Sequence, residues 1–114
     1  MTQPEVYVSI TGLQVRRAWH IPLFRVHAMR PMAQARAAAG NVSADARTIN
    51  GVHHTRSVWT DRDAMRAYLT AGAHLDAMRL FPRIATGKVI GYLTQEVPDW
   101  AEVHAIWVAR GRVV

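Results

Sequence analysis

The chain has 114 residues, half of them hydrophobic, and carries a net charge of +6. That fits one globular domain with one modest core. There is no cysteine, which excludes disulfides, thiolate catalysis and cysteine-ligated zinc or iron–sulfur centres. The basic charge is almost all arginine, with Lys88 the lone lysine. The arginines are scattered rather than clustered, which favours a solvated surface over a nucleic-acid site. No apolar run approaches the roughly 18 residues of a membrane span. The first residues lack the pattern of a secretory signal, so the cytoplasm is the expected location.

Residues 5–13 read as a first strand. Val6, Val8 and Ile10 alternate with Tyr7, Ser9 and Thr11, and β-branched residues dominate. Residues 19–39 read as a helix with a broad apolar face and an Ala-rich tail. Pro31 removes a backbone donor inside it, which predicts a kink or break near Arg30. Gly40-Asn41 is the stop.

Residues 42–49 and 52–59 read as two strands. Asn50-Gly51 between them is a strong hairpin signal, because both residues tolerate positive φ. A two-residue turn pairs Ile49 with Val52, Arg47 with His54 and Asp45 with Arg56. The last pair is of opposite charge, which supports the register.

Thr60 is the expected cap of a second helix, with Asp63 three residues on. Met65, Tyr68 and Leu69 form its buried face. Gly72 breaks the phase. His74, Ala77, Met78 and Phe81 then stand at helical spacing until Pro82. Residues 88–97 read as the last strand. Asp99 with Glu102 starts a C-terminal helix whose stripe is Trp100, Val103, His104 and Trp107.

The order is strand, helix, strand, strand, helix, strand and an extra helix. It predicts an α+β fold, a ferredoxin-like βαββαβ domain spanning residues 1–114. The sheet has four antiparallel strands, with helices on one face. Its strands carry apolar residues on both faces, so the second face is expected to pair with a second copy.

The stretch SVW, a polar cap, AMRAYL and GAHLDAMR resembles the dimeric α+β barrel superfamily, which includes antibiotic-biosynthesis-type monooxygenases. GAHLDAMR after a VW strand is similar to spheroidene monooxygenase and its small relatives. The resemblance covers residues 5–97. It implies a homodimer with back-to-back sheets and a pocket between each sheet and its helices. It also marks His74 as the counterpart of a GxH heme-ligand histidine. Tyr68 and Met78 stand where the heme-degrading branch has a tryptophan and a heme-ligand histidine, so the chain departs from that branch.

The candidate catalytic residues are His74, as axial ligand or general base, and His54. Adjacent on a strand, His53 and His54 point to opposite faces and cannot share one metal. Arg47, on the face of His54, is expected to depress its pKa. Trp59, Tyr68, Phe24 and Met78 are the candidate substrate-binding residues. HExxH, the P-loop, GxGxxG and GxSxG are absent. The expected function is monooxygenase-like: a homodimer binding a flat apolar small molecule between sheet and helices. Either no cofactor or a heme serves it. The alternative is a non-catalytic binding or structural homodimer. No nucleic-acid partner is expected.

Overall fold

Strand β1 (Val6–Val15) lies at the centre of a five-stranded sheet of order β2-β3-β1-β4-β5. The structure is a computed structural model, and it describes residues 5–70, 72, 78–79 and 82–113. Strands β2 (Asn41–Ile49), β3 (Val52–Trp59), β4 (Ala85–Thr94) and β5 (Arg112–Val113) complete the sheet, and every neighbouring pair is antiparallel. Helix α1 (Ile21–Ala37) follows β1 after a 3-10 turn at Ala18–His20. Helix α2 (Arg62–Leu69) follows β3, and α3 (Trp100–Arg110) follows β4.

The hairpin has the expected register. Ile49 pairs with Val52, Arg47 with His54 and Asp45 with Arg56. Asn50 and Gly51 sit at φ 50° and 77°, the positive values that a primed two-residue turn demands. Asp45 reaches Arg56 across the strands at 3.5 Å. Helix α3 opens with the expected capping box of Asp99 and Glu102.

Several expectations are corrected. Helix α1 is not broken at Arg30; it runs on to Ala37 with Pro31 buried inside it. Proline leaves the carbonyl of His27 without its helical donor, and packing holds the helix together across the gap. Asp61, not Thr60, caps α2, accepting from the Ala64 N–H at 2.8 Å. Pro82 does not end a helix, since residues 82–84 are helical. Strand β4 begins at Ala85 rather than 88 because its partner β1 extends to Val15, opposite Ala85. It stops at Thr94, where the hydroxyl accepts from the Glu96 N–H. The sheet has a fifth strand, β5, paired with β4 at Lys88 and Val89.

The largest correction concerns the two faces. Tyr7, Ser9, Thr11 and Leu13 of β1 share one face with Trp59, Ser57, Thr55 and His53 of β3. Helices α1 and α2 cover that face. Ala35, Ala44, Trp59 and Met65 form one cluster there; Phe24, Ile84 and Ala85 form another. The opposite face is not left open. Helix α3 lies on it, packing Val103 and Trp107 against Val8, Ile10, Val52 and Val58. The apolar residues on both faces of β1 thus find cover within the chain.

Candidate functional site

A buried, doubly hydrogen-bonded histidine lies on the α3 side. His54 is 1% exposed. Its Nδ1 lies 3.1 Å from the Thr11 carbonyl, which can only accept, so Nδ1 carries the proton. Its Nε2 lies 2.8 Å from His104 Nδ1. With both rings neutral, His104 Nδ1–H therefore donates to His54. The rings of both histidines also contact Trp107. Burial holds the His54 pKa below its ordinary value; the Thr11 carbonyl opposes this, and His104 and His53 add to it. The depression expected from the sequence is present, but burial causes it and Arg47 is not among its sources.

The same helix closes tightly on the sheet. A Cβ at Gly12 would overlap the Trp107 indole, so glycine is required for this approach. The indole N–H donates to the Lys88 carbonyl at 2.9 Å. Neither ring nitrogen of His54 is left for a substrate. His104, the partner that closes it, is a residue the sequence reading placed only in a packing stripe. Its position three residues before Trp107 was the available signal.

The opposite face holds Trp59, Tyr68 and Phe24. Trp59 is fully buried, and its ring lies 5.2 Å from that of Tyr68. The Tyr68 hydroxyl donates to the Pro31 carbonyl at 3.0 Å, tying α2 to α1. Burial pushes the Tyr68 pKa up to about 12. The Trp59 indole N–H is buried without a hydrogen-bond partner among the described residues. Such a donor costs roughly 1–3 kcal/mol when left unsatisfied.

Tyr7 pairs across the strands with Trp59 and lies over Gly91, where a Cβ would meet its phenol. Tyr7 also lines a cavity of about 380 Å³, together with Arg62, Gly91, Tyr92, Leu93 and Arg112. That volume is in the range of small-molecule sites, roughly 300–1,000 Å³. Arg62 begins α2, so the cavity lies where helix and sheet meet. Its lining residues were not singled out in the sequence. Only cross-strand pairing brings Tyr7, Gly91 and the first residue of α2 together.

Phe24 is buried at the far end of the same face, its ring 4.9 Å from that of His53. His53 Nδ1 lies 2.9 Å from the Thr48 hydroxyl. Burial first, and Arg25 second, lower its pKa. Met78 is 45% exposed and belongs to none of the buried clusters. His74 lies outside the described residues. The sequence-predicted residues that the structure describes therefore do not converge. Trp59 and Tyr68 meet, Phe24 lies in a second cluster, and His54 is on the other face. Among the described residues, no group of three or more His, Cys, Asp or Glu could hold a metal ion.

No protein-family model matches the chain. No curated protein matches it either. Solved structures do. SnoaB, a cofactor-independent oxygenase from Streptomyces nogalater, superposes at a TM-score of 0.69 and 19% identity, over 83% of this chain and 99% of that one. Rv0793 from Mycobacterium tuberculosis gives a TM-score of 0.67 at 14% identity, over 82% and 98% of the two chains. An antibiotic biosynthesis monooxygenase gives 0.64 at 13% identity, over 80% and 99%. At these identities the likeness is one of fold. The chain has a ferredoxin-like α+β fold, shared with SnoaB and the antibiotic biosynthesis monooxygenase.

Proposed function

We propose that the chain is an oxygenase that holds a flat, apolar aromatic molecule between the sheet and helices α1 and α2. The observation that carries this reading is the buried indole N–H of Trp59, without a partner among the described residues, whose cross-strand neighbour Tyr7 lines a cavity of about 380 Å³. Rotation of Tyr7 joins the cavity to Trp59. A substrate oxygen then accepts the indole N–H, and Tyr68 supplies an aromatic wall. Arg62 and Arg112 at the cavity favour the anionic form of the substrate.

The reaction that fits is oxidation of an activated methylene. The substrate loses a proton, and its anion delivers electrons to dioxygen. A CH2 group and O2 become a C=O group and water, so one oxygen atom enters the product and the other leaves as water. The Trp59 N–H stabilises the substrate anion, which lowers the barrier to deprotonation. His74 is the proposed base. The fold shared with a cofactor-independent oxygenase supports the same reading.

Heme is given no step. His54 has both ring nitrogens engaged, and the His53 ring rests on Phe24. Hemin titration of the chain and of His74→Ala tests the point. A Soret band lost in the variant would replace the cofactor-free mechanism with a heme-ligand role for His74.

The test of the main reading is oxygen uptake with a tricyclic aromatic ketone bearing an activated methylene. Trp59→Phe keeps the ring and removes the N–H. Loss of a hydrogen bond to a charged group is worth about 1.5–3 kcal/mol, so kcat/KM is expected to fall roughly 10- to 150-fold. Binding without oxygen uptake would support the non-catalytic reading instead. We further propose that the chain acts as a homodimer. Since α3 covers the second sheet face, pairing would use its exposed Val108 together with Val97 and Val113.

A further inference from the structure

Helix α1 has the wrong outer face for a helix bathed only in water. Its inner face buries Phe24, Pro31 and Ala35. Its outer face should then be polar. Instead Leu23, Val26 and Met29 are 41%, 59% and 72% exposed, and Trp19, one turn earlier in the chain, is 69% exposed. These four residues recur at spacings of four, three and three, the pattern of one helical stripe.

The charge around the stripe is of one sign. From residue 6 to residue 44 there is no aspartate or glutamate, while Arg16, Arg17, Arg25, Arg30 and Arg36 all occur. All five are exposed. Among the described residues the ion pair is Asp45–Arg56, so none of the five is neutralised by a described carboxylate. Arg17 stacks on Trp19 at 5.1 Å, which places a cation and an amphipathic ring side by side.

We infer that α1 docks on an anionic membrane surface. The stripe enters the boundary between headgroups and acyl chains, and the arginines engage lipid phosphates. An apolar face with Trp, ringed by Arg, is the pattern of a helix lying in the interfacial plane. A second copy of the chain fits this face poorly, because a twofold contact would oppose arginine to arginine with no acid to pair them. Nucleic acid accounts for the arginines but not for the exposed Val26 and Met29. No described helix is long and apolar enough to cross a membrane, so the contact is peripheral. This inference does not depend on the oxygenase reading.

The experiment is co-sedimentation with vesicles of phosphatidylglycerol and phosphatidylcholine, against pure phosphatidylcholine. Two variants accompany the unaltered chain, their folding checked by circular dichroism. One is Val26→Ser with Met29→Ser; the other is Arg17→Gln with Arg25→Gln and Arg30→Gln. Anionic vesicles are expected to pull down the protein and phosphatidylcholine to leave it in solution. Each arginine near a charged surface is worth roughly a fivefold change, so the triple variant should bind on the order of a hundredfold less. The serine variant should lose roughly tenfold. No preference for anionic vesicles overturns the proposal. So does a folded serine variant that binds as well as the unaltered chain, because attraction is then by charge alone.

Discussion

His54 Nε2 lies 2.8 Å from His104 Nδ1, fifty residues away in sequence, and the contact fastens α3 to the sheet. It tolerates one proton between the two nitrogens. If both rings are protonated, two N–H donors face each other and two charges meet. Around the pair lie Thr11 from β1, Trp107 from α3 and, by register, Arg47 from β2, none of them anionic.

This sets a pH dependence. The folded state holds the His54 pKa low, chiefly by burial, while an unfolded histidine titrates near 6.5. As pH falls below about 6.5 the unfolded chain takes up the proton first, and stability is lost through the window down to the folded pKa. Above about 6.5 this contribution is fully present. Thermal melts between pH 7.5 and pH 5 should show Tm falling. His104→Ala should lower stability at pH 7.5 by about 1–3 kcal/mol, since His54 is left short of a partner. A Tm that is flat across this range would remove the pair from the account.

Tyr68 should resist ionisation. Burial pushes its pKa up to about 12, because the phenolate is the form that desolvation disfavours. Ultraviolet titration to pH 11 should therefore ionise only about a tenth of Tyr68, and Tyr68→Phe should barely reduce the signal seen by that pH. The same variant loses the bond to the Pro31 carbonyl and should cost about 0.5–1.5 kcal/mol in urea unfolding.

Arg56 and Asp45 form an ion pair at 3.5 Å, but they are not equal partners. The Asp45 side chain is 48% exposed and that of Arg56 16%. Arg56 also donates to the Pro98 carbonyl at 2.8 Å and lies 4.5 Å over the Trp100 ring. Asp45→Ala should thus cost under about 1 kcal/mol, as exposed pairs do. Arg56→Ala should cost roughly 2 kcal/mol or more, because it frees the start of α3 as well. Equal costs in denaturant melts would contradict this asymmetry.

Gly12→Ala should loosen α3, since the added methyl meets the Trp107 indole. Overpacking of this kind costs about 1–3 kcal/mol. The near-ultraviolet circular dichroism of tryptophan should weaken while far-ultraviolet helix content stays. An unchanged spectrum with unchanged stability would mean the contact is slack.

The dimer is tested by light scattering. A stable dimer at micromolar concentration is expected, and Val108→Glu should shift it toward monomer. A monomer at that concentration would sink the homodimer proposal.

Much of the fold was legible because it is written locally. Asn50-Gly51 dictates its turn through backbone sterics, and with it the register down to Asp45 and Arg56. Asp99 and Glu102 dictate a helix start because their side chains satisfy each other's backbone donors. Where neighbours in space compete with local preference, the neighbours win. Pro31 stays helical because burial outweighs its missing hydrogen bond. Strand β4 starts three residues early because β1 offers it partners.

The candidate site was less legible, and for a physical reason. Period-two alternation puts His53 and His54 on opposite faces, which the sequence determines. Which face receives α3 depends on packing between residues far apart in the chain. That choice closes His54 with His104, while alternation along β3 already puts His54 on the face opposite Trp59. Cross-strand pairing, equally non-local, brings Tyr7, Gly91 and Arg62 to one cavity. The sequence by itself determined the βαββαβ order, the hairpin and the alternation of side chains, because these follow from backbone geometry within a few residues. The tertiary structure alone decided the cover of the second face, the histidine pair and the isolation of the Trp59 N–H, because each rests on contacts that exist only once distant segments pack.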